Sequence, residues 1–308
     1  MEDFSLYVPL ITVLAATWRM ATPIIFAAIG AMFSEKAGVL NIGLEGIMLI
    51  GAFSGFAAAV HGAPIFVAFV FALLVGAVAG AIFGYLTVYL KTNQIVVGAA
   101  FNLLGLGITG FLYRVGDFGS SGIKISNPIS IPFLADIPFV GPILFQHTPM
   151  VYLTLPLVFM AFFVLYRTAY GLNLRAAGDY PNALAAAGQS VNLHRFSAVV
   201  LGCSIVSVGG AFLTLSYTNQ FVEGIVSGRG FMALAVIVFG RWTPLGIFGA
   251  SLLFGLFFAL QLFLQTISDA AIPYQAFQAM PYVLTIVVLV LVGGRSNAPK
   301  FLTVPFQR

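Results

Sequence analysis

The chain has 308 residues, of which 60% are hydrophobic and 7% are charged, and its formal net charge is +4. Soluble domains carry about 25% charged residues, so this composition excludes an ordinary soluble enzyme or binding module. The mean hydropathy is +1.05. Apolar runs recur along the whole sequence, and a bilayer core about 30 Å thick needs roughly 20 apolar residues per helix. The sequence therefore predicts an all-α polytopic membrane protein.

Apolar runs and the polar residues that interrupt them predict about nine helices, within a range of about 8–10. The first is long and carries Arg19 near its middle, so it is either one tilted helix or an interfacial helix followed by a shorter span. The seventh is too short to cross a bilayer alone, and we expect a partial or re-entrant helix there. One transmembrane domain over 1–308 would contain helices at 6–33, 45–60, 64–90, 94–113, 150–166, 196–217, 229–241, 245–265 and 275–293.

The basic residues predict an orientation, because cytoplasmic connections carry an excess of Lys and Arg. With a cytoplasmic C-terminus, nine basic residues fall in inner connections and three in outer ones, Arg229 among the outer. Nine spans then place the N-terminus outside, whereas a tenth crossing near Arg19 would place it inside.

The first polar interruption, EKAGVLNIGLEG, contains more special residues than a plain connector needs. Its three glycines favour a tight break between closely packed helices. For Glu45 two interpretations are equally supported. It is either a carboxylate at membrane depth, paired with Lys36 or a group of backbone N–H donors, or a residue at the start of a cytoplasmic helix, stabilised by the helix dipole. The candidate residues of this segment are Glu35, Lys36, Gly38, Asn41, Gly43, Glu45 and Gly46.

Polar side chains within apolar helices are candidates for a solute path, because they are costly against lipid. A single Asn or Thr is nonetheless more often a hydrogen-bonded contact between helices. No pair of these residues has the spacing of a metal or acid–base site. The path candidates are Asn41, Glu45, Asn93, Gln94, Asn102 and Gln261.

Two connections are longer than a turn. Residues 115–148 form an external segment rich in Pro, Gly and Ser, which is either a folded lid or docking surface, or an ordered loop. Residues 167–195 form the main cytoplasmic connection, in which PNALAAAG predicts a two-turn helix from Pro181 to Gly188. A helix this short is unstable alone, so it must pack on the membrane domain, on a partner, or on both.

A weak internal repeat links the two halves of the chain. IIFAAIGAMF, a polar break and IMLIGAFSGF are similar in pattern to MALAVIVFG, the break RWTPLG and IFGASLLFGL. Transporters are often built from such repeats, with discontinuous helices near the substrate path. Chance similarity between Gly- and Ala-rich helices is the alternative.

The cytoplasmic connection resembles the coupling loop of ATP-binding-cassette importer permeases, in the branch that serves ribose, other simple sugars, nucleosides and branched-chain amino acids. The resemblance extends over nearly the whole chain. EKAGVLNIGLEG is similar to the signature of the nucleoside and simple-sugar subfamily, and LKTNQIVVGAAFN and RGFMALAVIVFGRWTPLGIFGASLLFGL resemble later family segments. The positions that match the coupling-loop pattern are Gly171, Arg175, Ala176, Gly178, Asp179, Ala183, Ala186, Ala187 and Gly188.

The resemblance implies a non-catalytic permease subunit in a bacterial cytoplasmic (inner) membrane, with a path for nucleosides; a simple sugar or another small polar solute is the alternative. It implies as partners a separate ATPase, a homologous permease in a heterodimer, and an external substrate-binding protein or lipoprotein. The chain contains no G-x-x-x-x-G-K-[ST] loop, so ATP and Mg²⁺ would be used by the partner ATPase. We expect no cofactor, no metal and no nucleic acid on this chain.

Three other classes of protein fit less well. An ion-coupled secondary transporter would need a buried titratable relay, for which Glu35 and Glu45 are the candidates. An intramembrane enzyme would need a nucleophile–base or metal constellation, and the three histidines are scattered. A channel would not need the long coupling-type loop.

Overall fold

The computed structural model describes residues 2–116, 118, 123, 128–130, 135, 137, 139–267, 275, 277, 279–280, 283, 286–287, 290 and 297–307. Most of the predicted ninth helix, residues 275–293, lies outside the described residues, as does much of the predicted external segment 115–148. The described part is mostly helical, as predicted from the composition.

The first four helices are α1 (Glu2–Lys36), α2 (Leu44–Val60), α3 (Ile65–Gly84) and α4 (Gln94–Val115). They are followed by α5 (Val140–Leu144), α6 (Pro149–Tyr152), α7 (Thr154–Arg167), α8 (Ala169–Asp179) and α9 (Pro181–Ala186). The last three described are α10 (Val191–Phe212), α11 (Arg229–Phe239) and α12 (Pro244–Ile267). Helices α3 and α10 continue into π-helical turns at Tyr85–Tyr89 and Leu213–Tyr217. A short antiparallel pair joins Ile129–Ser130 to Gln146–His147.

Within the described part, six helical segments are long and apolar enough to cross a membrane. Helix α2 has 17 residues and α11 has 11, so at 1.5 Å per residue they are about 25 Å and about 17 Å long, shorter than a bilayer core of about 30 Å. The predicted count of nine spans is therefore not confirmed. The six segments are Pro9–Lys36, Ile65–Tyr89, Gln94–Val115, Pro149–Arg167, Val191–Tyr217 and Pro244–Thr266.

Helix α1 is one continuous helix of 35 residues that passes through Arg19. The alternatives of a separate interfacial helix and of a tenth crossing near Arg19 are therefore wrong. The apolar stretch on both sides of Arg19 is long enough for the helix to continue at the cost of one polar residue, which lies on an exposed face.

Helix α10 lies at the centre of the bundle and packs against α1, α2 and α3. Small residues allow these helices to approach closely. A Cβ atom at Gly210 would collide with the backbone of Met48 on α2, and one at Gly30 on α1 would collide with the carbonyl of Gly202. The absence of side chains at Gly210 and Gly30 is thus explained by helix contacts.

The cytoplasmic-type connection contains the predicted helix and a second helix that the sequence did not predict. Helix α9 begins at Pro181, and the chain leaves it through Gly188, whose φ is +77°, as predicted. Helix α8 was not predicted, because its 11 residues have no long apolar run. Its start is capped by Thr168, whose Oγ1 accepts the N–H of Gly171 at 3.1 Å.

Candidate functional site

The segment between α1 and α2 is extended and runs beside α4. The N–H of Leu40 donates to Gln94 Oε1 (2.8 Å). Farther along, Asn102 Nδ2 donates to the carbonyl of Ile42 (3.0 Å), and Asn102 Oδ1 accepts the N–H of Gly46 (2.9 Å). Gln94 and Asn102 are eight residues apart on α4, so the segment rises about 12 Å along the bundle. Helix α2 therefore begins well inside the bundle.

Asn41 stabilises the same segment from within. Its Oδ1 accepts the N–H of Gly43 (2.9 Å), and its Nδ2 donates to the sulfur of Cys203 on α10 (3.4 Å). Asn41 is 1% exposed. Because an extended backbone makes no helical hydrogen bonds, these side chains satisfy groups that would otherwise be buried without partners.

Glu45, in the first turn of α2, accepts hydrogen bonds from the start of a different helix. Its Oε1 lies 2.7 Å from Gly228 N and its Oε2 lies 2.8 Å from Gly230 N, at the N-terminus of α11. Two backbone N–H donors and the positive end of a helix dipole favour a carboxylate at this place. The partner is thus a group of backbone donors and not Lys36, and Glu45 lies inside the bundle at the start of its own helix.

Glu35 holds the opposite end of α11. Its Oε2 accepts the indole N–H of Trp242 at 2.5 Å, in the turn that follows α11. Glu35 is 3% exposed and Trp242 is 5% exposed. The two carboxylates of the signature segment therefore fix both ends of one short helix, and they join the two units of the predicted repeat.

A cavity of about 310 Å³ lies beside the start of α11. The guanidinium carbon of Arg229 lies 5.5 Å from the centre of the Phe258 ring. Gln261, one of the path candidates, contributes an Oε1 that makes no hydrogen bond within the described part of the chain. The size and the mixture of aromatic and polar groups suit a small polar ligand. The lining residues are Met20, Tyr217, Ser227, Arg229, Phe258, Gln261 and Leu262.

The path candidates do not form one group. Gln261 lines the cavity. Glu45 binds Gly228 and Gly230, the two residues on either side of Arg229, which also lines the cavity. Asn41, Gln94 and Asn102 bind the extended segment, as described above. Asn93 is exposed at the start of α4, where its Oδ1 accepts the N–H groups of Ile95 (2.9 Å) and Val96 (3.3 Å).

The signature glycines are required by contacts. A Cβ at Gly46 would collide with the backbone of Phe101, and Gly38 has a φ of +91°. Gly43 lies against Gly98 of α4. Lys36 ends α1, where its carbonyl contacts Gly178 of α8.

The coupling-type residues separate into an outward set and an inward set. Gly171 and Gly178 are buried, and Arg175 lies over the ring of Tyr166 at 5.1 Å. Asp179 Oδ1 accepts the N–H of Lys300 (3.2 Å), and Ala176 is partly buried. The exposed members, which form what we call the alanine face of α9, are Ala183, Ala186, Ala187 and Gly188.

Several residues of this site were not predicted. The charge pattern places Arg229 in an external connection and gives no sign of a site there; in the structure it is the first residue of α11, beside the cavity and one residue from each glycine that binds Glu45. Trp242 lies in the break RWTPLG that the repeat had located, but nothing in that motif indicates Glu35 as its partner. Among the described residues, no group of three or more His, Cys, Asp or Glu could hold a metal ion.

Relatives of known description match most of the chain. The nucleoside ABC transporter permease NupC of Lactococcus lactis is 37% identical and covers 91% of this chain and 92% of its own. The guanosine ABC transporter permease NupQ of Bacillus subtilis is 35% identical and covers 96% of both chains. A more distant relative, the glucose ABC transporter permease TsgB13 of Haloferax volcanii, is 25% identical over 77% of this chain and 66% of its own. The same two organisms each have a second permease that is similar to this chain. NupP of Bacillus subtilis is 27% identical to it, and NupB of Lactococcus lactis is 26% identical.

The family model described as the permease component of the branched-chain amino acid transport system matches residues 13–293. This match covers both helix breaks, the cavity and the coupling-type connection. The chain therefore belongs to this family of transport permeases, and it is a multi-pass membrane protein.

Proposed function

We propose that this chain is the permease subunit of an ATP-driven importer and that it carries nucleosides through the bundle. The observation that carries the proposal is the cavity at the start of α11, which places the Phe258 and Tyr217 rings near Arg229 and Gln261. Nucleobases stack on aromatic rings and present both donors and acceptors to amide and guanidinium groups. The names of NupC and NupQ support the same class of solute.

The alanine face of α9 would contact the ATPase. Its exposed methyl groups and Gly188 allow close approach of another protein. ATP and Mg²⁺ would be bound by that partner, while the present chain forms one transmembrane domain over 1–308 without a cofactor. An external substrate-binding protein would deliver the solute, and a second, homologous permease would complete a heterodimer. The paired relatives in two organisms support the last assignment.

The α8–α9 end of the bundle would face the cytoplasm of a bacterial cell. Basic residues are concentrated there, and residues 297–307 pack on α8, so the C-terminus would lie on the same side. Because α1 is one continuous helix that ends at Lys36 on that side, the N-terminus would be external.

The test uses the complete complex in liposomes, with ATP hydrolysis and uptake measured for guanosine, adenosine, cytidine, ribose and glucose. We expect nucleosides to be taken up and to stimulate hydrolysis, and glucose to do neither. Phe258→Ala should raise the KM for the transported nucleoside about 5- to 150-fold, since stacking of a base on an aromatic ring contributes about 1–3 kcal/mol.

Phe257→Ala is the matched control, because Phe257 is the next residue on α12 and does not line the cavity. Uptake of glucose without nucleosides would contradict the nucleoside assignment and favour the alternative that TsgB13 represents. Equal KM values for the two phenylalanine variants would contradict the assignment of the cavity.

A further inference from the structure

The C-terminal segment 299–306 returns to the α8–α9 end and bonds to two other segments at once. The N–H of Phe301 donates to the carbonyl of Gly178 on α8 (2.9 Å). Two residues later, the N–H of Thr303 donates to the carbonyl of Gly38 in the break after α1 (3.2 Å). We call residues 299–306 the tail strap. It joins the coupling-type connection to the signature segment by backbone bonds.

Arg195, in the first turns of α10, holds the tail strap in this place. Its Nη1 donates to the carbonyl of Val304 (2.7 Å), and its Nη2 donates to the carbonyl of Ala177 on α8 (3.1 Å). A Cβ atom at Gly38 would lie 3.0 Å from the same Nη2. One guanidinium thus touches the strap, α8 and the break.

The burial of Arg195 is costly, which indicates that its position matters. The residue is 2% exposed, and within the described part of the chain no carboxylate forms an ion pair with it. A buried charge bound only by carbonyl groups is expensive to desolvate. The planar fork of arginine presents two nitrogens in fixed directions and binds two carbonyls of different segments, whereas a lysine has a single nitrogen on a flexible stem.

Further contacts attach the strap to the end of α8 and to α9. Lys300 Nζ donates to the Tyr180 hydroxyl (2.9 Å) and lies 4.7 Å from the centre of that ring. Phe306 packs against the buried cluster of Ala177, Leu184 and Val191, in which Leu184 is a buried residue of α9. The strap therefore contacts α8 and α9 on one side and Gly38 on the other.

We propose that the tail strap, positioned by Arg195, transmits movement of α9 to the break between α1 and α2. The inference rests on the proposed function, since it takes the alanine face of α9 as the ATPase contact. From Gly38 the extended segment leads directly to Glu45 and the start of α11. Arg195 is a positioning residue, because it acts through the strap and touches neither solute nor nucleotide.

The test compares two shortened chains in the complete transporter complex, with uptake and ATP hydrolysis measured per assembled complex. A chain that ends at Ala298 lacks the strap, and a chain that ends at Phe306 keeps it. We expect the first to assemble and hydrolyse ATP while its uptake per ATP falls about tenfold, within the 5–150-fold range typical of coupling between sites. The second should match the full chain.

Arg195→Ala and Arg195→Lys provide a second test if the chain that ends at Ala298 does not assemble. We expect uptake per ATP to fall in the alanine variant and to be partly restored in the lysine variant. A merely structural residue would change the unfolding temperature and leave uptake per ATP unchanged, and that result would overturn the proposal. If the full chain shows ATP-driven uptake that every assembled variant retains, the strap proposal fails and the proposed function stands. If the full chain shows none, both fail.

Discussion

Replacing Glu45 with alanine is expected to lower the free energy of unfolding by about 1 to 4 kcal/mol, since the buried N–H of Gly230 would lose its acceptor at a cost of about 1–3 kcal/mol and the part-buried N–H of Gly228 would lose its acceptor at a smaller cost. The donors are the N–H groups of Gly228 and Gly230, 2.7 Å and 2.8 Å from the carboxylate oxygens. Uptake should also be lost, because the start of α11 and Arg229 beside the cavity would no longer be held.

The free energy of unfolding of the Glu45→Gln variant should lie between those of the alanine variant and the natural chain, because the amide keeps one acceptor oxygen and loses the charge. The measurements are thermal unfolding in detergent and uptake per assembled complex. Glu223→Gln is the matched control, since Glu223 also accepts two short bonds, both from Arg114 at 2.7 Å, but at an exposed site. There the hydrogen bond from Arg114 holds the pKa of Glu223 below its usual range. We expect little change in this control, and a loss of stability as large as that of Glu45→Ala would contradict the account.

Replacing Ala186 with tryptophan is expected to reduce uptake at least about tenfold, within the range of coupling free energies of about 1–3 kcal/mol. Ala186 lies on the exposed alanine face of α9, and the buried side of this helix is formed by Pro181 and Leu184. A large ring at this position would keep an ATPase from approaching closely, while the fold of the permease itself would be unaffected.

Ala169→Trp is the control for this substitution, because Ala169 is an exposed alanine at the start of α8, away from the alanine face. The measurements are co-purification of the ATPase and uptake. The Ala186→Trp variant should lose uptake, co-purification of the ATPase, or both, and its unfolding temperature should be unchanged. If both variants bind the ATPase and transport normally, α9 is not the coupling element.

The sequence predicted most of the helices because long apolar runs have few alternatives to a membrane helix. The residues 64–90, for example, correspond to α3 and its π-helical turn. Helix α8 was not predicted because it has no long apolar run. It is stabilised by packing on α7 and α10. The ninth predicted helix lies mostly outside the described residues, and its prediction stays untested.

The site was predicted less completely, because polar side chains at membrane depth have more than one use. Asn102 could have faced a solute, but its amide satisfies both Ile42 and Gly46 in the extended break. The composition of EKAGVLNIGLEG predicted that this segment is more than a plain connector. Its position inside the bundle is evident only from these contacts. The partners of Glu45 lie 183 and 185 residues away along the chain, and no local pattern specifies so distant a pairing.

We propose that this chain forms a solute path whose operation depends on a separate ATPase. The most direct measurement is guanosine uptake into liposomes that contain the complete complex, with either the active ATPase or a variant unable to hydrolyse ATP. We predict uptake against a concentration gradient with the active ATPase and none with the inactive one, at any imposed proton gradient. Accumulation that persists with the inactive ATPase, or that follows the proton gradient, would contradict the claim and favour an ion-coupled transporter.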